Sequence, residues 1–86
     1  MVTRKIVIRD PAGLHLRPAQ KFCEIAMQYE CGISFEVPGG SICANAKSVL
    51  SVLAAGIKGG TAIIVRCDGA DEDEALEAFV SEFGEE

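Results

Sequence analysis

Seven short segments with strand-like or helix-like hydrophobic patterns fill this chain, and their order constrains the fold more than any other feature of the sequence. Alternating apolar residues predict strands, and apolar residues spaced by three and four positions predict helices. The order is strand, helix, strand, strand, helix, strand, helix. With 86 residues, the chain is long enough for one core and too short for two. We therefore expect a single domain over residues 1–86, an α+β two-layer sandwich with helices on one face of a mostly antiparallel sheet.

The boundaries of these segments follow from the same patterns. The predicted strands cover residues 2–9, 33–37, 41–44 and 61–67. The first helix carries an apolar stripe of Leu16, Ala19, Phe22, Cys23, Ala26 and Met27, and the last a stripe of Leu76, Phe79, Val80 and Phe83. Asp71 is predicted to cap the last helix, with Glu74 three residues later as in a capping box. The middle helix, opened by residues 45–48 and closed by Gly56, is apolar on nearly every side, which indicates either a partner surface or a helix packed on both sides.

The run from Gly13 to Ala19, Gly-Leu-His-Leu-Arg-Pro-Ala, contains the only histidine of the chain. Neutral imidazole can act as a nucleophile, a proton carrier or a ligand. Arg17 supplies a fork of donors suited to phosphate or carboxylate oxygens, and Pro18 suits the first turn of a helix. His15 would then lie just before a helix N-terminus, where an anion is stabilised. This spacing favours a phosphoryl-carrying imidazole, and the alternative is a histidine that only caps the helix or lies on the surface.

The charges and cysteines exclude several classes of function. The net charge is −5, but residues 1–67 carry eight basic and four acidic residues, and residues 68–86 carry nine acids and no base. No dense basic stripe is present, so nucleic-acid binding is disfavoured, and the positive body favours acidic partner proteins. The four cysteines are scattered without a Cys-x-x-Cys pair, so we expect buried or half-buried free thiols and no metal site. Residues 1–5 lack an apolar core, so we expect no signal peptide or membrane insertion and a cytoplasmic location.

Four segments in order give the chain a close resemblance to HPr, the histidine-containing phosphocarrier family of the bacterial phosphoenolpyruvate:sugar phosphotransferase system. The segments are Gly13 to Ala19, Asn45 to Ser48, Leu53 to Gly59, and Cys67 to Glu72. The resemblance spans the whole length. It implies the βαββαβα open-faced sandwich, with a four-stranded antiparallel sheet in the order 1-4-2-3 and three helices on one face.

The resemblance also implies a function and a set of residues. His15 would accept a phosphoryl group on Nδ1 from phosphorylated Enzyme I and pass it to a histidine of a sugar-specific IIA domain, and Arg17 would stabilise that group. The protein would be a monomeric, stoichiometric carrier and not an enzyme, and it would need no cofactor. Val49, Leu50 and Leu53 match the family's exposed docking positions.

Ser48 matches the serine that a dedicated HPr kinase/phosphorylase modifies in many Gram-positive members, where the modified protein also binds a catabolite-control repressor. A phosphate at a helix start would be stabilised, and its charge beside an apolar surface would disfavour Enzyme I binding. A serine at this position is also an ordinary helix cap. Two features depart from the family pattern: Leu16 replaces a small residue and enlarges the docking surface, and the turn from Pro38 to Ser41 is longer than in common members.

Two other functions compete with the carrier. One is a mainly regulatory HPr-like protein that acts through binding dependent on Ser48 phosphate, although the retention of His15 argues against a purely regulatory role. The other is a hydrolase that uses His15 as a general base, which lacks a partner nucleophile or carboxylate at a recognisable spacing.

Overall fold

The computed structural model describes residues 1–39 and 43–83 of the chain. In these residues the elements are β1 (Val2–Val7), α1 (Leu16–Met27), β2 (Gly32–Glu36), β3 (Cys43–Asn45), α2 (Val49–Ala54), β4 (Ala62–Asp68) and α3 (Glu72–Phe83). The predicted order of elements is confirmed. Part of the predicted third strand and of the turn from Pro38 to Ser41 lies outside the described residues.

The strands form one antiparallel sheet in the order β1-β4-β2-β3, which confirms the arrangement implied by the resemblance. Lys5 pairs with Ile64 across β1 and β4, and Phe35 pairs with Val65 across β2 and β4. Along β4, Ile63, Val65 and Cys67 are buried, whereas the residues between them are partly exposed. This alternation of buried and partly exposed residues is the predicted one. The partly exposed residues lie on the other face of the sheet, which is uncovered.

The helices cover the buried face of the sheet and meet around an aromatic cluster. The ring of Phe22 on α1 lies 5.1 Å from that of Phe35 on β2 and 4.7 Å from that of Phe79 on α3, measured between centroids. All three side chains are fully buried. Burial of one such side chain contributes about 1.5–3 kcal/mol, so this cluster fixes α1, and with it the start of α1, over the sheet.

The buried stripe of α1 differs from the predicted one at three positions. Leu16 and Met27, both assigned to the apolar stripe, are 56% and 65% exposed, and Ile25 is buried instead; the exposure of Leu16 agrees with its other predicted place, on the docking surface. Leu16 is the first residue of α1 and Met27 the last, where the helix extends beyond the edges of the core. The predicted spacing of the apolar stripe was correct, but both ends of α1 extend past the layer that the helix covers.

Asp71 begins α3 as predicted, since its carbonyl accepts a hydrogen bond from the N–H of Ala75 at 3.0 Å, but the predicted capping box with Glu74 is wrong. The carboxylate of Asp71 accepts hydrogen bonds from the backbone N–H groups of Glu30 and Cys31, at 2.9 and 3.0 Å. Glu72 instead bonds back to the N–H of Gly69 at 3.0 Å. Asp71 therefore fastens the start of α3 to the entry of β2, and the bonds from Glu30 and Cys31 hold the pKa of Asp71 below its ordinary value.

Candidate functional site

His15 occupies the N-cap position of α1 in an extended conformation, with φ −80° and ψ −171°. Its backbone carbonyl accepts the first helical hydrogen bond, from Ala19 at 2.8 Å. Its side chain makes no capping bond and is 47% exposed. Because the ring does not cap the helix, the alternative of a purely capping histidine is not supported.

The first turn of α1 offers donors next to this ring. Leu16 and Arg17 are the first two helical residues, and Pro18 follows without an N–H group. Within the described ranges, no hydrogen bond is made by the N–H of Leu16 or Arg17, and no salt bridge by the guanidinium of Arg17. The positive end of a helix and an exposed guanidinium can together neutralise the oxygens of a phosphoryl group.

Positive charge extends beyond Arg17. An open cavity of about 450 Å³ lies beside the start of α1, and it is lined by Arg9, Arg17 and Lys21 together with the acids Asp10 and Glu82. Lys21 lies 3.9 Å from Glu82. The cations of this surface favour the approach of an anionic group.

A tight contact between two loops supports the histidine. Gly13 has φ 77°, and a Cβ built there would lie 2.1 Å from the carbonyl oxygen of Ile57. The N–H of Leu14 donates to the same oxygen at 2.9 Å. Gly59 in turn lies against the backbone of Asp10 and Pro11. The loop from β1 to α1 is therefore held by the loop from α2 to β4, a contact that the hydrophobic pattern did not predict.

Asp10 was interpreted from the sequence only as part of a turn that ends β1, yet it faces the histidine. Its Oδ2 lies 3.6 Å from Nε2 of His15. Its Oδ1 accepts a hydrogen bond from the N–H of Ala12 at 2.9 Å. The spacing Asp10-Pro11-Ala12 is typical of a turn closed by an aspartate side chain, and this pattern could have indicated the turn, but not that the second carboxylate oxygen faces His15.

Ser48 lies at the N-cap of α2, on the neighbouring helix. Its Oγ accepts a hydrogen bond from the N–H of Ser51 at 3.2 Å, and the residue is half-buried. The preceding residue, Lys47, is tied to α1, because its Nζ donates to the carbonyl of Tyr29 at 2.8 Å and its carbonyl accepts from the thiol of Cys23 at 3.3 Å. The helix-cap interpretation of Ser48 is thus correct, and it leaves the regulatory prediction open.

The four predicted docking residues differ in exposure. Leu16 is 56% and Leu50 79% exposed, while Val49 and Leu53 are half-buried. Leu53 also packs against the core. The 65% exposed Met27, which was predicted to be buried, adds to the apolar surface of α1. The prediction that α2 exposes part of its apolar surface is confirmed.

The cysteines and acids do not assemble a metal centre in the part of the chain that the structure describes. No group of three or more His, Cys, Asp or Glu side chains there is placed to hold an ion. Cys23, Cys31 and Cys67 are buried thiols, as predicted, but Cys43 is exposed, because it lies on the short edge strand β3 and points away from the core. Burial raises the pKa of Cys67 to about 12, which makes that thiol unreactive. Over residues 1–39 and 43–83, no helix has the length and apolarity needed to cross a membrane.

One model of a known protein family matches nearly the whole chain. Residues 2–84 match the family model PTS-HPr, described as the PTS HPr component phosphorylation site. The chain belongs to the HPr family. Several similar proteins are phosphocarrier proteins HPr, and the family match confirms the resemblance drawn from the sequence.

Individual HPr relatives cover nearly the whole chain. The phosphocarrier protein HPr of Mycoplasma genitalium is 38% identical over 73 residues, which are 85% of this chain and 82% of the relative. The HPr-like protein Crh of Bacillus subtilis is 33% identical over 86 residues, covering 100% of this chain and 99% of Crh. Both HPr phosphocarriers and an HPr-like protein linked by name to catabolite repression are therefore similar to this chain.

Solved HPr structures share its fold. The crystal structure of HPr-C-His from Thermoanaerobacter tengcongensis matches with a TM-score of 0.91 and 31% identity, covering 96% of this chain and 91% of that one. HPr of that organism has also been solved as a dimer, which matches with a TM-score of 0.70 and 33% identity, covering 99% of this chain and 100% of that one. The expected monomeric state is therefore not general among these relatives and stays a prediction.

Proposed function

We propose that this chain is a single-domain, cytoplasmic phosphoryl carrier that accepts a phosphoryl group from phosphorylated Enzyme I on His15 and passes it to sugar-specific IIA domains. The observation that carries the proposal is an exposed imidazole at the N-cap of α1, which makes no capping bond, in a chain of the HPr family. Such a carrier turns over no substrate of its own, and we expect it to act as a monomer.

The chemistry needs few groups. The lone pair of Nδ1 attacks the phosphorus atom of the donor, while Arg17 and the N–H groups that begin α1 neutralise the phosphoryl oxygens. Phosphoryl transfer depends mainly on positioning and on charge neutralisation. A small protein with an exposed site can therefore perform it without a deep cleft, since each partner brings the rest of the site.

The decisive experiment is incubation of the purified protein with Enzyme I and phosphoenolpyruvate, followed by intact-mass measurement. We expect the gain of one phosphoryl group, which is lost in acid as phosphohistidine is, and no gain for His15→Ala. The Ser48→Asn variant, which keeps a helix-capping side chain, is the matched control and should gain the group normally. No gain by the wild-type protein with an Enzyme I shown to be active would refute the proposal.

Arg17→Lys tests the stabilising role of the guanidinium. Lysine keeps the charge but loses the two-pronged contact. A charge-assisted hydrogen bond contributes about 1.5–3 kcal/mol, so we expect transfer to slow by roughly tenfold or more, with an unchanged melting temperature. Because Arg17 is exposed and makes no salt bridge within the described residues, slowed transfer would not reflect a damaged fold. Equal transfer rates would contradict the assignment.

Leu50 tests the proposed docking surface of Leu16, Val49, Leu50 and Leu53. Leu50 is 79% exposed, so Leu50→Ser leaves the core intact and should weaken binding to Enzyme I, measured by calorimetry. Ala54→Ser on the same helix, also exposed, serves as the control. Equal affinities of the two variants would exclude Leu50 from the interface.

A second function is favoured by the similarity to Crh over the whole chain and by the position of Ser48 at the start of α2. Phosphorylation of Ser48 by an HPr kinase/phosphorylase would create the partner of a catabolite-control repressor and reduce docking to Enzyme I. Ser48→Asn keeps a cap but cannot be phosphorylated. Loss of kinase-dependent repressor binding in this variant, with intact transfer through His15, supports the regulatory role, and unchanged repressor binding refutes it.

A further inference from the structure

We propose that Asp10 is a positioning residue for His15, whose carboxylate holds the imidazole ring with its proton on Nε2 and so leaves the lone pair on Nδ1. The consequence for phosphoryl transfer rests on the carrier function proposed above. The position of the proton itself is a property of the free protein and can be measured without any partner.

The geometry assigns this role to one atom of the carboxylate. Oδ2 of Asp10 lies 3.6 Å from Nε2 of His15, and the two side chains are 42% and 47% exposed. A proton on Nε2 is attracted by this negative oxygen, whereas a lone pair on Nε2 would be repelled by it. In the part of the chain that the structure describes, no other carboxylate lies within ion-pair distance of this ring.

The carboxylate is also fixed in its orientation. Its Oδ1 accepts a hydrogen bond from the N–H of Ala12 at 2.9 Å, and the carbonyl of Asp10 accepts one from Gly13 at 2.8 Å. Gly59 lies against the carbonyls of Asp10 and Pro11. Since one carboxylate oxygen closes the turn, the other is the one directed toward the ring, and a residue held in this way can orient its neighbour at little entropic cost.

The proposed tautomer suits both transfers. When the Nδ1 lone pair forms the bond to phosphorus, the bond between phosphorus and the donor breaks with its electrons leaving on the donor, and the ring becomes a cation that keeps its Nε2 proton. Asp10 stabilises that cation. When the acceptor imidazole attacks, the bond from phosphorus to Nδ1 breaks and its electron pair returns to Nδ1. His15 is then neutral with the same proton, so neither transfer needs a proton to be gained or lost at this ring.

Two substitutions separate the charge of Asp10 from its role in the turn. In Asp10→Asn, the amide oxygen can still accept the bond from Ala12, which directs the amide N–H₂ group toward Nε2. This donor favours a lone pair on Nε2 and a proton on Nδ1. In Asp10→Ala, both the turn bond and the charge are lost, but no donor is introduced.

The test combines long-range ¹⁵N–¹H correlation spectra of His15, recorded at about pH 9 where ordinary imidazoles are neutral, with phosphoryl transfer from Enzyme I. We expect the wild-type ring to be protonated mainly on Nε2 and Asp10→Asn to shift the population toward Nδ1. Transfer should slow by about two- to fivefold in Asp10→Ala, the range for a half-exposed ion pair, and by at least as much in Asp10→Asn. Melting temperatures identify any unfolded variant.

Each outcome decides the proposal. An unchanged tautomer in Asp10→Asn overturns it, as does a shifted tautomer with an unchanged transfer rate. Slow transfer in Asp10→Ala together with normal transfer in Asp10→Asn would assign Asp10 to the turn alone and also overturns it. If the wild-type protein accepts no phosphoryl group, the carrier function fails, and the spectra still decide whether Asp10 sets the tautomer.

Discussion

Substitution of Gly13 by alanine should separate the loop that carries His15 from the loop that supports it. The Cβ of an alanine would lie 2.1 Å from the carbonyl oxygen of Ile57 and 2.7 Å from the Cα of Lys58. Both are backbone atoms, which cannot move aside as the end of a flexible side chain can. The hydrogen bond from Leu14 to Ile57, 2.9 Å long, must therefore break or stretch.

A matched glycine isolates the cost of this contact. Gly60 has φ 83°, close to the 77° of Gly13, but a Cβ there meets nothing within 4 Å. An L-residue in this backbone region costs about 1–2 kcal/mol, and the lower entropy of the unfolded alanine chain offsets about 0.4–1 kcal/mol. Gly60→Ala should therefore destabilise the protein by about 1 kcal/mol.

Gly13→Ala carries the same backbone cost plus the damage to the contact between the loops. Loss of the Leu14 hydrogen bond adds about 1 kcal/mol, and partial exposure of the buried Leu14 and Ile57 adds roughly 1–2 kcal/mol. The total is about 3–4 kcal/mol. For a domain of this size, each 1 kcal/mol lowers the melting temperature by about 4–8 °C.

Urea denaturation and thermal melts of the two variants measure this difference, and the phosphorylation assay with Enzyme I measures its effect on His15. We expect Gly13→Ala to be about 2–3 kcal/mol less stable than Gly60→Ala and to accept phosphoryl groups more slowly at a temperature where it is folded. Equal stabilities of the two variants would refute the tight contact at Gly13. Normal phosphoryl transfer in a destabilised Gly13→Ala would show that the contact supports the fold without positioning the histidine.

Three further predictions concern the rest of the molecule. A thiol reagent should modify exposed Cys43 rapidly in the native protein, and Cys43→Ser should remove that rapid phase. Cys67 should react only on unfolding, because burial raises its pKa to about 12. Asp71→Asn should lower stability at neutral pH. Because the pKa of Asp71 is lowered in the folded state, the stability difference from the wild type should narrow as pH falls below about 4, and a constant difference in acid melts would contradict this. Phe79→Ala, which removes a fully buried ring, should cost about 3–5 kcal/mol in urea denaturation, and a loss below 1 kcal/mol would argue against the aromatic cluster.

The elements were predictable because each one buries a single periodic face. The alternation of Ile63, Val65 and Cys67 identified the inward side of β4 without knowledge of its neighbours. The order of the strands was not contained in this pattern, since pairing of β1 with β4 depends on contacts between residues about 60 positions apart. The resemblance to HPr supplied it. On α1, Leu16 and Met27 continue the period past the edge of the layer that the helix covers. On α3, the predicted buried stripe was wrong at Leu76, Val80 and Phe83, which are half-buried, whereas Ala75 is buried.

The site could be predicted only where its functional residues lie close together in the sequence. His15 and Arg17 are two positions apart at the start of one helix, so a local pattern indicates both. The contact of Gly13 with Ile57 joins residues 44 positions apart, and nothing in a local pattern predicts that these backbones meet. Asp10 is an intermediate case: its turn is local, but its orientation toward His15 depends on which carboxylate oxygen closes that turn. Since Oδ1 bonds to Ala12 and Oδ2 faces the ring, the turn from Asp10 to Ala12 that follows β1 also orients the imidazole. A substitution at Asp10 that preserves the turn is therefore able to change the chemistry of His15 without changing the fold.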